Sequence, residues 1–77
     1  MLLSNAQKVV VEELKQDGIY LWTNEGRYLE AWLGDSQGKK MKKVNLATAK
    51  SLAGKGCIKF IDGDYRDGIY KYELVNK

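Results

Sequence analysis

The 77-residue chain contains no histidine and a single cysteine, Cys57. A Ser-His or Cys-His nucleophile pair therefore cannot be assembled within it. One cysteine without histidine also cannot supply the usual zinc-binding set. We therefore expect no enzymatic activity, no catalytic residues, no metal site and no cofactor.

The chain also lacks a long apolar run and a basic leader followed by an apolar stretch. We therefore expect neither a membrane-spanning helix nor a signal peptide. A lone cysteine makes a reducing, cytoplasmic location the simplest expectation, with Cys57 as a buried and unreactive thiol. The length predicts one domain over residues 1–77, and 44% apolar with 30% charged residues is typical of a globular protein.

Acidic residues are missing from one long segment, residues 36–61, which carries seven lysines and a net charge of +7. The rest of the chain has six basic and ten acidic residues, a net charge of −4. The total of +3 therefore conceals a strong asymmetry, which indicates a polyanionic partner. The alternative is a solvated lysine-rich face that keeps a small domain soluble.

Helix and strand signals alternate along the chain. Ser4 with Gln7 forms a capping-box pattern that begins a helix, and Asp17-Gly18 ends it. Asn45 is a suitable N-cap for a short second helix. The predicted helices cover residues 4–16 and 46–53, and the predicted strands cover 19–23, 28–33, 57–61 and 69–75, with a possible further strand at 39–44. This order predicts an α+β domain in which a β-hairpin or three-stranded meander lies between two helices and a second hairpin ends the chain.

Alternation in the first hairpin divides its side chains between two faces. The set expected to pack on the first helix is Ile19, Leu21, Leu29, Ala31 and Leu33, with Met41 joining it from the third strand. The opposite set is Tyr20, Trp22, Tyr28 and Trp32. These four aromatics form either a second half of the core or an exposed stacking or protein-docking surface.

Four lysines directly precede the N-terminus of the second helix: Lys39, Lys40, Lys42 and Lys43. Helix N-termini favour phosphate groups, so this position strengthens the case for a nucleic-acid partner. Lysines add affinity without reading sequence. Base reading would need the short polar side chains that follow, which are Asn45, Thr48 and Ser51.

The segment NLATAKSLAGKGCIKFIDGDYRDGIYKYEL, residues 45–74, resembles the second half of a winged-helix domain. The resemblance covers about 30 of 77 residues and rests on a helix, a Lys55-Gly56 junction and a hairpin that ends in Tyr72-Glu73-Leu74. It implies a recognition helix in the DNA major groove and a wing against the backbone. By this resemblance, Thr48, Lys50 and Ser51 face the groove. The residues that would meet phosphates or the groove of the wing are Lys55, Lys59 and Arg66.

Over its full length the chain also resembles the YjhX-type toxins of bacterial toxin–antitoxin pairs. The shared features are a helix that opens near Leu3-Ser4, a glycine before strands (Gly18), a Gly26-Arg27 turn and the helix-to-strand junction at Leu52–Lys59. This resemblance implies a protein that binds and inhibits a DNA topoisomerase.

The sequence thus predicts a small nucleic-acid-binding regulatory module with duplex DNA as its expected partner. The alternative is a small protein-binding inhibitor or toxin, of phage or toxin–antitoxin type, that acts on a host DNA-processing enzyme. Its expected anchors are Tyr20, Trp22, Tyr28 and Trp32. The oligomeric state stays open, with a homodimer as one option.

Overall fold

The computed structural model describes residues 3–26, 28–64 and 66–75. Its elements are α1 (Asn5–Leu14), β1 (Tyr20–Asn24), β2 (Glu30–Gly34), β3 (Lys40–Val44), α2 (Leu46–Gly54), β4 (Ile58–Asp64) and β5 (Ile69–Leu74). The predicted α+β fold is confirmed, including the third strand of the meander.

Local side-chain contacts account for where both helices begin. The Ser4 hydroxyl accepts a hydrogen bond from the Gln7 backbone N–H at 3.2 Å, and the Gln7 side chain accepts one from the Ser4 N–H at 2.8 Å. These two bonds satisfy donors that lack partners in the first turn of α1. The Asn45 side chain accepts from Ala47 N–H at 2.8 Å at the start of α2. The predicted capping box and N-cap are therefore confirmed.

The five strands form one antiparallel sheet in the order β3-β2-β1-β5-β4. The two hairpins join because β5 pairs with β1, which places Tyr72 opposite Leu21 and Tyr70 opposite Thr23. The free edges are consequently β3 and β4. With strands about 4.8 Å apart, these edges lie roughly 19 Å from each other.

Both helices cover one face of the sheet, here called the helix face. The buried core between them consists of Val10, Leu14, Leu21, Ala31, Leu33, Val44, Ala49, Leu52 and Ile58. Cys57 is half-buried against this cluster, so it is less enclosed than predicted. The other side of the sheet, here called the open face, has no helix among the described residues.

Two predicted core residues are exposed instead. Leu29 is 71% exposed because β2 begins only at Glu30, so this leucine lies outside the sheet. Met41 is 60% exposed because Val44, opposite Ala31, sets the alternation of β3 and turns Met41 away from the helix face. A bulge at this point in the β2–β3 ladder takes Met41 out of register as well.

Candidate nucleic-acid interface

Residues 39–43, here called the lysine strip, run along the free edge of the sheet. All four of its lysines are exposed. Lys40 is held in place, because its Nζ lies 2.6 Å from Glu30 Oε1 and 4.9 Å from the centre of the Trp32 ring. Lys39, Lys42 and Lys43 form no ion pair with any residue in the described part of the chain. Their charges are therefore available to a ligand.

The strip leads directly into α2, and a shallow groove lies at this junction. The groove has a volume of about 220 Å³, with Lys42, Lys43, Asn45 and Thr48 along its lining. Its floor is apolar and comes from α1, β2 and β3: Ala6, Val9, Val10, Leu33 and Val44. Four of the residues predicted to bind nucleic acid therefore lie together.

The polar residues predicted to read bases are mostly engaged within the protein. The Asn45 amide oxygen caps α2. The Ser51 hydroxyl accepts a hydrogen bond from Gln7 Nε2 at 2.6 Å, so Ser51 lies at the contact between the helices and not on the outer side of α2. Lys55 also turns toward α1, with its Nζ 3.0 Å from Gln7 Oε1. Of the three base-reading candidates, Thr48 alone has no hydrogen bond from its side chain to the described residues.

The remaining predicted cations lie away from the strip. Lys50 Nζ is 3.2 Å from Glu25 Oε1, and Lys59 Nζ on β4 is 3.6 Å from Glu73 Oε1. Arg66 is exposed in the loop between β4 and β5. Lys59 and Arg66 therefore belong to the opposite edge from the strip, and the eleven predicted residues do not form one continuous surface.

Trp22 and Trp32 form a stacked pair on the open face, with ring centres 6.4 Å apart and planes 3° from parallel. Both indole N–H groups donate to the loop between β2 and β3: Trp22 to the Asp35 carbonyl at 3.0 Å and Trp32 to the Gly38 carbonyl at 3.1 Å. Trp32 is only 6% exposed. The pair is thus a small second core under residues 35–39, here called the cap loop.

Asp35 organises the cap loop. Its Oδ1 accepts hydrogen bonds from the backbone N–H groups of Gln37 at 2.9 Å and Lys39 at 3.1 Å. The Lys39 bond, followed by the Gln37 bond, lowers the pKa of the Asp35 carboxyl from its ordinary value. Gly38 has a φ of +86° and lies against the Trp22 ring, where an added Cβ would be 3.5 Å from the nearest ring carbon. The loop that carries Lys39 is therefore fixed on the tryptophan pair.

The other two aromatics of the predicted docking surface have different environments. Lys71 Nζ lies 4.3 Å from the centre of the Tyr20 ring and 5.5 Å from that of Trp22. Tyr28 is 61% exposed. The four residues therefore do not form one exposed aromatic surface.

The sequence analysis did not identify Asp35 and Lys71 as part of this region. Asp35 was visible as a turn residue, since Gly34-Asp35-Ser36-Gln37-Gly38 has turn composition. Lys71 carried no local signal, because its contacts with Tyr20 and Trp22 depend on the pairing of β1 with β5.

Comparison of the chain with models of known protein families, with curated proteins and with solved structures finds no match in any of the three. Within residues 3–26, 28–64 and 66–75, no helix is long and apolar enough to cross a membrane. Nor do these residues include a group of three or more side chains that could hold a metal ion.

Proposed function

We propose that this chain binds nucleic acid through the phosphate backbone, with the lysine strip as the contact surface. The observation that carries the proposal is that Lys39, Lys42 and Lys43 are exposed and have no ion-pair partner within the described residues. Lysines of this kind bind phosphates as point charges and release counterions from the nucleic acid. Duplex DNA is the expected partner.

Recognition of the backbone without base reading is what the surroundings of the strip favour. Asn45 and Ser51 already use their side-chain acceptors inside the protein. The exposed residues of α2 are Ala47, Lys50, Ala53 and Gly54, and the lysine is paired with Glu25. A helix face made of alanines, a glycine and a paired lysine has little with which to distinguish base edges.

The connectivity of the chain offers support of a second kind. α2 is followed at once by the β4–β5 hairpin, and β5 lies beside β1, an order compatible with the winged-helix resemblance. However, the β2–β3 hairpin occupies the chain position where a winged helix has a helix before the recognition helix. We therefore propose contact through the β3 edge, in place of insertion of α2 into the major groove.

The proposal is tested by fluorescence anisotropy of a labelled mixed-sequence duplex at ~50 and ~200 mM salt. Three phosphate contacts predict that log K falls against log salt with a slope of roughly −3. The variant Lys42→Glu/Lys43→Glu should lose more than about tenfold in affinity and reduce the slope by about two.

The matched control is Lys8→Glu/Lys15→Glu, which changes the net charge equally but on α1 and at its C-cap. It should retain most of the affinity if the position of the charge matters. If both variants lose duplex affinity equally, only the total charge of the protein matters. If binding does not depend on salt concentration, recognition of the phosphate backbone is refuted. A second duplex of scrambled sequence should bind with the same affinity as the first.

A further inference from the structure

A second groove lies on the open face, between the cap loop and the β4–β5 hairpin, and has a volume of about 390 Å³. Here it is called the aromatic groove. Trp22, Trp32 and Ile69 line it, with Gln37 of the cap loop on one side and Asp62 and Asp67 of the hairpin on the other. We propose that this groove binds an arginine-bearing segment of a partner protein.

The carboxylates on the hairpin side give the groove its charge. Asp62 and Asp67 are both exposed, and neither forms an ion pair with the residues that the structure describes. Asp62 Oδ1 accepts a hydrogen bond from the Gly63 N–H at 2.8 Å, which leaves its second oxygen for a ligand. The groove is thus complementary to a cation, in contrast to the lysine strip at the other end of the sheet.

The tryptophan pair makes a flat cation more suitable than a compact one. A guanidinium stacks flat on an indole ring and donates two parallel hydrogen bonds to a carboxylate, whereas an ammonium group contacts either one only as a point charge, as Lys40 contacts Trp32. The indole N–H groups of Trp22 and Trp32 are already bound to the cap loop, so the aromatic surface has no donor left to satisfy. Aromatic surface beside two carboxylates therefore selects arginine over lysine.

Lys71 does not fill this groove. It is opposite Trp22 on β1 and Asp62 on β4, but its ammonium group donates a hydrogen bond to the Ser36 carbonyl of the cap loop at 3.4 Å and lies 4.3 Å from the centre of the Tyr20 ring. Tyr20 and Ile69 lie on opposite sides of the Trp22–Lys71 pair along the strands, since Ile69 is opposite Asn24. The side of Trp22 toward Ile69 is consequently the side where the groove lies.

Nucleic acid is the less suitable occupant, because phosphates would approach two unpaired carboxylates. Extension of the sheet by a strand of another molecule is also less suitable, because the β4 edge carries a bulge between Phe60 and Asp62. Charge and aromatic surface together therefore favour an arginine side chain that enters from above the sheet.

The two tryptophans are the only ones in the chain, and both line the groove, so their emission reports on its occupancy. The probes are three N-acetylated, C-amidated peptides of equal length: tri-arginine, tri-lysine and tri-citrulline. Tri-arginine should change the emission saturably. Tri-lysine should bind at least about threefold more weakly, and tri-citrulline, which keeps the shape but not the charge, should not bind.

Asp62→Asn/Asp67→Asn should weaken tri-arginine binding by about tenfold. The control Glu12→Gln/Asp17→Asn removes equal charge in the last turn of α1 and in the turn that follows it, and should bind as the wild type does. Urea unfolding confirms that each variant is folded, and the peptide comparison in the wild type needs no variant. Equal affinity for arginine and lysine, equal loss in both variants, or no saturable change in emission would overturn the proposal.

This experiment is separable from the nucleic-acid test. Asp62→Asn/Asp67→Asn should bind duplex DNA no more weakly than the wild type, whereas Lys42→Glu/Lys43→Glu should still bind tri-arginine. A failure of one proposal therefore leaves the other standing.

Discussion

The two free edges of the sheet carry lysines in different electrostatic settings. On β3, Lys42 and Lys43 have no carboxylate within ion-pair distance among the described residues. On β4, Lys59 is paired with Glu73 of the neighbouring strand. All three lysines belong to the same acid-free segment of sequence. Neighbours in space, contributed by β5, therefore determine which of these lysines has a carboxylate partner.

Protection of a sheet edge alone does not account for the lysine strip. Lysines and bulges both prevent free strands from pairing with other chains. The β4 edge has a bulge and one lysine, and the β3 edge also has a bulge in its pairing with β2. The β3 edge therefore carries more lysines than the β4 edge needs, together with its bulge, to prevent pairing with other chains. This excess is what the proposed contact with phosphates would explain.

Reversing one charge on each edge should give the greatest change among these predictions, and the change is in duplex affinity. Lys43→Glu should reduce duplex affinity by about tenfold at low salt, because an unpaired contact is replaced by repulsion. Lys59→Glu should change affinity less than about twofold, because this lysine is already neutralised by Glu73. Anisotropy at ~50 mM salt measures both. If Lys43→Glu and Lys59→Glu lose similar amounts of duplex affinity, pairing with a carboxylate does not decide which lysines bind DNA.

The cap loop supplies the next largest effect, on stability. Gly38→Ala should lower the free energy of unfolding by about 1 kcal/mol or more, because alanine is disfavoured at a φ of +86°. Gly54→Ala is the control, since Gly54 lies at the end of α2 without a positive φ and its Cβ would meet open space. Urea unfolding followed by tryptophan emission measures both variants. If the cap loop does not stabilise the fold, Gly38→Ala and Gly54→Ala should have equal free energies of unfolding.

A smaller effect should follow from freeing the paired lysine on β4. Glu73→Gln leaves Lys59 without its carboxylate partner, so the β4 edge should then carry an unpaired lysine, as the β3 edge does. We expect a gain in duplex affinity of about twofold and a slightly steeper salt dependence. If Glu73→Gln does not gain duplex affinity while Lys43→Glu still loses it, the position of the strand and not the pairing of its lysines distinguishes the two edges.

The local features of the fold were predictable, whereas its long-range pairing was not. The capping box at Ser4 and the N-cap at Asn45 are short patterns that determine helix starts wherever they occur. The pairing of β1 with β5 joins residues about 50 positions apart, and no pattern in either strand specifies the other. The candidate site reflects the same limit. The lysines were visible in the sequence, but the partners that neutralise Lys50 and Lys59 come from other elements.

The weakest of these effects is the pH dependence of stability that Asp35 gives to the cap loop beside the lysine strip. Because the folded-state pKa of Asp35 is lowered by hydrogen bonds from Lys39 and Gln37, ionised Asp35 stabilises the fold above its unfolded pKa of about 3.9. That contribution is lost as the pH falls through this value toward the lower folded pKa. Asp35→Asn should therefore be less stable than the wild type at pH ~7, and the difference should shrink by pH ~3. Urea unfolding of both proteins across this range isolates Asp35, because the other carboxyls titrate in both. A constant difference would mean that the charge of Asp35 does not hold the cap loop, and that the position of Lys39 is set by Gly38 and the tryptophan pair alone.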